Sequence, residues 1–446
     1  MMTNLNISHE CPVLPPQARL KNLPYAAMWI LMGAEVYLDH SKKTDLVRLL
    51  LDNESMDIAT ADYETAKGLA DYAQNLIHVG KVVSAVQALS LHKLIADKLA
   101  HMADERVNTR KIAMIKDRTG SGYWRMVLPA NHISMDGISV DITSAGMKYE
   151  HLLEYDTIFV QRVHDWESYY LLKKLKEAEK HIVYDIDDNL FDIPRENPAS
   201  RFIGRDEMMA AAECMKLADV VTTTTEELSK RLVKTIGEPL SPVVIPNAID
   251  TEGWLATPFT GSPDGFRRIF WQGGESHAED WEECADAVDA IMAEMADVRL
   301  VILGYLPPAV RMFLTRAHWK GRVEFLGFNA AETYFQIIKA VRAEVGIAPL
   351  KQTGFNACKS PIKLLEYSMI GMPTVASNVL PYSAVIDPDD KDGFLVSGSR
   401  EWFDALSICL NDKKKRLSML ESARQKVRDN YDIRKVAQEW RTVLVP

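Results

Sequence analysis

Short apolar runs alternate with segments of helical spacing along most of this 446-residue chain, and that alternation sets the expected architecture. Residues 112–115, 138–142, 157–161, 181–185, 220–224 and 243–246 read as strands, whereas 166–179 and 206–217 read as helices. Strand alternating with helix is the pattern of a parallel α/β sheet, expected here over residues 111–250. Residues 251–266, with three Gly, two Pro and several Ser and Thr, read as a linker. A second series follows, with strands at 268–272, 298–303, 323–326, 344–348, 374–377 and 393–396 and a helical tail over 402–445. Residues 20–105 have a different texture: 23–38, 44–52, 63–78 and 82–102 are helical stretches with few strand signals between them. The expected fold class is therefore α/β, with two Rossmann-like domains (111–250 and 267–446) preceded by a helical module (1–110).

Ligands of such sheets gather beyond the carboxyl ends of the strands. In the first domain that rule selects Gly120 and Gly122, then His164 and Asp165, then Asp185, Asp187 and Asp188. In the second it selects Gly273, Gly274 and His277. The stretch 355–377, FNACKSPIKLLEYSMIGMPTVAS, adds a punctuated helix, with Ser360 expected as N-cap, Pro361 as its first residue and Gly371 followed by Pro373 as its stop. Lys359 and Lys363 stand at the positive end of this helix dipole, unfavourable by about 0.3–1 kcal/mol each unless an anion is held there. Helical geometry puts Lys359, Lys363 and Glu366 on one face. Phosphate at a helix N-terminus flanked by lysines, with a carboxylate one turn deeper for sugar hydroxyls, is a coherent nucleotide-sugar site. A solvated helix start whose lysines meet nearby carboxylates is the plainer alternative.

Composition narrows the class. The chain is 47% hydrophobic and 26% charged, as soluble globular domains are, and its net charge of −10 argues against a generally polyanion-binding surface. Five cysteines (Cys11, Cys214, Cys284, Cys358, Cys409) form no CxxC pair, which points to a reducing compartment and to no zinc site. The first residues lack a charged segment followed by an apolar core, and the apolar run 25–38 contains Glu35 and is short for a membrane span, so a cytoplasmic location is expected.

From residue 111 onward the chain resembles the GT-B glycosyltransferases, specifically the family-4-like, mostly retaining group that uses nucleotide-diphosphate sugars. The resemblance rests on IPNAID (245–250), the glycine turn after Trp271, and KSPIKLLEYSMIGMPTVAS (359–377). It implies a donor site on the second domain and an acceptor site on the first. Glu366 aligns with the second of the family's two helix glutamates and would bind the donor ribose; the first would fall at Cys358, and the usual Arg and Lys after the first strand of this domain are missing. Lys359 and Lys363 then become the available phosphate cations. Gly120, Gly122, Gly273, Gly274, His277 and Ser360 complete the implied donor set, Asp165, Asp187 and Asp188 fall on the acceptor side, and His164, Asp185 and Lys359 are the candidate catalytic residues.

The implied co-substrate is a UDP-sugar, with no cofactor and no metal, although Asp185-Ile-Asp187 also has the form of the cation-binding DxD motif of the other glycosyltransferase fold. The expected acceptor is a glycan, a lipid-linked glycan or a protein. Hydroxymethylated DNA, an acceptor of some phage glycosyltransferases, is disfavoured because residues 111–250 carry 17 Lys and Arg against 23 Asp and Glu, a balance of −6. The N-terminal helices are the expected surface for a protein partner or a dimer. A different class, a sugar-nucleotide-binding or scaffold protein without activity, is favoured by Cys358 in place of the first glutamate.

Overall fold

The computed structural model describes residues 110–116, 121–133, 138–144, 148–253, 264–327 and 331–445; the N-terminal helical module and Gly120 lie outside the described residues. Residues 110–446 form one compact unit built on two six-stranded parallel sheets.

The first sheet comprises β1 (Arg110–Lys116), β2 (Ile138–Ser144), β3 (Thr157–Gln161), β4 (His181–Ile186), β5 (Val220–Thr223) and β6 (Val243–Val244), in the order β2-β1-β3-β4-β5-β6. Its central strands β3 and β4 are buried on both faces and mostly apolar. Ile158, Val160, Ile182, Tyr184 and Ile186 face the helices Trp166–Glu177, Arg205–Leu217 and Glu226–Ile236, whereas the alternate residues Phe159 and Val183 face the opposite layer. All six strands stand where the hydrophobic runs placed them.

The second sheet comprises β7 (Arg267–Gly273), β8 (Val298–Gly304), β9 (Val323–Phe325), β10 (Val345–Ala348), β11 (Thr374–Ser377) and β12 (Phe394–Val396), in the order β12-β11-β10-β7-β8-β9. One face buries Trp271, Trp281, Trp319 and Trp402 completely. The other carries Phe270, Val301 and Leu303 against Leu365, Tyr367 and Met369 of the helix Ile362–Ile370.

Two local expectations are corrected. The final helix, Ile433–Leu444, does not belong to the core of the second domain: Ile433, Val436, Ala437, Trp440, Val443 and Leu444 pack with Ile112, Met114 and Phe159 of the first sheet. Thr157 Oγ1 donates to Leu444 O (2.8 Å), and His181 Nε2 lies 2.8 Å from Val443 O. Its apolar stripe matches the uncovered face of the first sheet, which overrides sequence proximity. The second correction concerns Ser360. The helix runs from Ile362 with Pro361 at the cap position and no side-chain cap, and the Ser360 hydroxyl is buried without a hydrogen-bond partner. Gly371 does end the helix, in the left-handed conformation at φ 96°.

Pro129 lies in the helix Leu128–Ile133, and the chain forms a π turn at Tyr123–Val127 immediately before it. Proline cannot donate to the carbonyl four residues back and its ring crowds that group, and a widened turn relieves both problems. The same turn carries Arg125, which is fully buried.

Candidate active site

Residues beyond the carboxyl ends of β1, β4, β7 and β10 line a cavity of about 380 Å³, a volume suited to a small ligand. Its cationic wall comes from the second domain. Lys363 occupies the first turn of the helix Ile362–Ile370 and is 8% exposed. Burial, reinforced by neighbouring Lys359, pulls its ammonium pKa down to about 8 against the opposing pull of Asp280 and Glu366. Among the described residues no carboxylate or hydrogen-bond acceptor bonds the Lys363 ammonium. Lys359 Nζ lies 3.5 Å from Asp188 Oδ1 and 4.6 Å from the centre of the Phe355 ring. Ser360, with its unpartnered hydroxyl, lines the same wall.

Asp187 and Asp188 face these lysines from the end of β4. Arg162, in the left-handed region at φ 49°, reaches both, with Nε 3.2 Å from Asp187 Oδ1 and Nη1 3.5 Å from Asp188 Oδ2. Burial pushes the Asp187 carboxyl up to about 6 despite Arg162. At Asp188 the same burial is outweighed by Lys359, Arg162 and His277, which hold its carboxyl below the usual range.

Behind the wall lies a second polar group. Glu366, 2% exposed, accepts from Tyr334 Oη (2.8 Å) and from the Gln272 amide, and Tyr334 also bonds Gln272 Oε1. Tyr334 reaches the cavity surface, whereas Glu366 sits one layer deeper, where burial pushes its carboxyl up to about 7. His277 does line the cavity, and its Nδ1 lies 2.7 Å from Asp280 Oδ2.

The remaining candidates scatter. Asp185 is 0% exposed and bound by Arg125 (Nη2 to Oδ1, 2.7 Å) and Thr222 Oγ1 (2.7 Å), so its reading as a catalytic, acceptor-facing group is corrected: it is one half of a buried ion pair. For the same reason Asp185 and Asp187 do not act together as a DxD pair. Asp165 is a helix cap, accepting from Ser168 N at 2.7 Å, and His164 Nδ1 lies 2.6 Å from Arg162 O; neither lines the cavity. Gly122 precedes the π turn, and Gly273 ends β7, where a Cβ would meet the Trp271 indole at 2.6 Å; with Gly274 they lie off the cavity wall. Cys358 is turned away too, packed with the hydrophobic core of the first domain. Among the described residues no group of three His, Cys, Asp or Glu is placed to hold a metal ion.

Several site residues escaped the sequence reading. Arg162 immediately follows β3, so the rule that selected His164 and Asp165 should have selected it as well. Asn247, inside the IPNAID motif, lines the cavity and is held by Arg125 Nη1 at 3.2 Å. Tyr123, Trp124, Tyr334 and Tyr382 give the cavity its aromatic walls, and nothing in their spacing announced it.

Residues 268–412 match the family described as Glycosyl transferases group 1. Among solved structures, HepE of Anabaena in complex with UDP and glucose is similar, with a TM-score of 0.57 and 14% identity over 75% of this chain and 99% of that one. Sucrose-phosphate synthase of Thermosynechococcus elongatus (TM-score 0.55, 14% identity, 75% and 98%) is also similar. So is a glycosyltransferase from Rickettsia africae (TM-score 0.55, 13% identity, 76% and 99%). No curated protein sequence matches. The chain thus carries a Glycosyl transferases group 1 domain over residues 268–412, formed by the second sheet and its helices, and shares the two-domain GT-B fold of these structures.

Proposed function

We propose that the protein transfers a sugar from a nucleoside-diphosphate sugar, a UDP-sugar first, to an acceptor hydroxyl on a glycan, lipid-linked glycan or protein, with retention of configuration. The observation that carries the reading is Lys363: a buried ammonium with no carboxylate partner among the described residues, set beside Lys359 and the free Ser360 hydroxyl at a helix N-terminus. Keeping an unpaired cation buried is costly, and a diphosphate supplies the missing counter-charge. A cation about 4 Å from a phosphate is worth on the order of 4 kcal/mol at an effective dielectric of 20, before desolvation is subtracted. HepE, of the same fold, is crystallised with UDP and glucose.

In this reading the C1–O bond of the donor breaks, the electron pair leaves with the diphosphate, and the lysines and helix dipole stabilise the charge that develops there. The acceptor hydroxyl attacks from the same face and its proton passes to the departing phosphate oxygen. The positive charge is thus protein-borne, and transfer proceeds without a metal. Asp187 and Asp188, on the first-domain wall, stand on the acceptor side.

The test is titration calorimetry with UDP, then incubation with UDP-glucose and related donors in EDTA, with the product anomer assigned by NMR. UDP binding together with EDTA-resistant transfer or donor hydrolysis supports the proposal; absence of UDP binding overturns it. The placement of Cys358 in the first-domain core, where the family carries a carboxylate, favours a second reading, a nucleotide-sugar-binding protein without turnover. Retained UDP binding with no turnover of any donor selects that reading.

A further inference from the structure

We propose that His277 and Asp280 form a fixed-tautomer hydrogen-bond acceptor that reads a hydroxyl of the donor sugar, a role that rests on the donor-site reading above. Asp280 is 3% exposed and fully occupied: Oδ1 accepts from Lys351 N (2.9 Å) and Asn356 Nδ2 (3.0 Å), and Oδ2 faces His277 Nδ1 at 2.7 Å. Burial alone would raise its carboxyl, but His277, the Lys351 amide and Lys363 hold it below the usual range. An ionised carboxylate only accepts, so Nδ1 must carry the proton and Nε2 the lone pair.

Nε2 meets no hydrogen-bonding group among the described residues, although the ring lines the cavity. Burial and then Lys363 hold the imidazolium pKa at about 4 against the pull of Asp280, so the ring is neutral at pH 7. A neutral ring with an exposed lone pair is wrong for a phosphate oxygen, which also only accepts. It is right for a hydroxyl, which can donate. With the diphosphate on the lysines, the sugar bonded to it supplies the nearest hydroxyls.

Asp280→Asn tests the arrangement. Its Oδ1 still has two N–H donors to satisfy, so the new amide nitrogen takes the Oδ2 position and donates to Nδ1. That moves the ring proton to Nε2 and turns the acceptor into a donor. In the wild-type protein, ¹⁵N NMR should show the Nδ1–H tautomer of His277, and one monodeoxy analogue of UDP-glucose should bind about two- to tenfold weaker than UDP-glucose, the value of one hydrogen bond. Asp280→Asn should show the Nε2–H tautomer and lose that discrimination, read as the ratio of UDP-glucose to deoxy-analogue affinity so that the effect of the lost charge on diphosphate binding cancels, with an unchanged far-UV circular dichroism spectrum as the control for folding. The proposal is overturned if the wild-type ring carries its proton on Nε2, if no deoxy analogue is discriminated, or if His277→Ala weakens UDP as much as UDP-glucose. If UDP itself does not bind the wild-type protein, the donor-site reading falls and takes this one with it; UDP binding without hydroxyl discrimination sinks this one alone.

Discussion

Lys359 and Asp188 meet across the cleft with Nζ 3.5 Å from Oδ1, the lysine carried by the second domain and the aspartate by the first. A bound diphosphate and Asp188 would compete for the same ammonium. Asp188→Asn removes the competitor and its repulsion of phosphate, so UDP should bind about three- to tenfold tighter. Lys359→Ala should weaken UDP by about tenfold or more, the worth of a charge-assisted hydrogen bond. Calorimetry in low salt measures both; weaker binding by Asp188→Asn would make the aspartate a ligand contact instead of a gate.

Lys363 predicts a pH dependence of binding and an opposite effect on stability. Its ammonium titrates at about 8 in the free protein. Below that pH the cation is present; above it the amine must first take up a proton, so log affinity for UDP should fall with pH towards a slope of one. The folded pKa lies below the ordinary lysine value of 10.5, so the unfolded chain binds more protons between 8 and 10.5, and stability rises with pH through that window. At neutral pH the burial therefore costs about 3 kcal/mol. Lys363→Met should raise the urea midpoint at pH 7 while abolishing UDP affinity. A destabilised variant would show that the ammonium has a structural partner.

The Glu366 carboxyl, at about 7 and above its ordinary 4.5, acts in the opposite sense. Stability from this group is fully present below pH 4.5 and lost as pH rises through 7. Glu366→Gln can keep the network closed: its Oε1 accepts from the Gln272 amide, its Nε2 donates to Tyr334 Oη, and the single Tyr334 hydroxyl proton, no longer given to residue 366, goes to Gln272 Oε1. The variant should flatten the pH dependence of Tm between 4.5 and 7 and be more stable at pH 8 by about 2–3 kcal/mol. An unchanged pH profile would place the titration elsewhere.

Legibility in the sequence followed length scale. The central strands were readable because strands buried on both faces must be apolar, so Ile158 to Val160 or Ile182 to Tyr184 announce themselves locally. The helix with Lys359 and Lys363 was readable because like charges at a dipole end need a reason. What failed depended on partners distant in sequence. Nothing near Asp185 indicates that Arg125, sixty residues earlier, claims it, and the order of the chain does not show that Trp440 returns to Phe159. The capping rule for Ser360 failed locally, since Pro361 took the cap position.

Arg125 and Asp185 yield the last prediction. Both side chains are 0% exposed, and Arg125 additionally donates to Ile245 O (2.7 Å) and holds Asn247 at the cavity wall. Removing one partner strands the other charge in a low-dielectric site, so Arg125→Met should cost about 3–5 kcal/mol. Replacing both, Arg125→Met with Asp185→Leu, should cost less than the sum, because no buried charge is left unpaired. Urea denaturation of the two singles and the double measures the coupling. The same series decides the role of Asp185. As a structural group, Asp185→Asn should lower stability while leaving donor turnover close to wild type wherever the variant remains folded. A variant of wild-type stability without turnover would return the carboxylate to the chemistry.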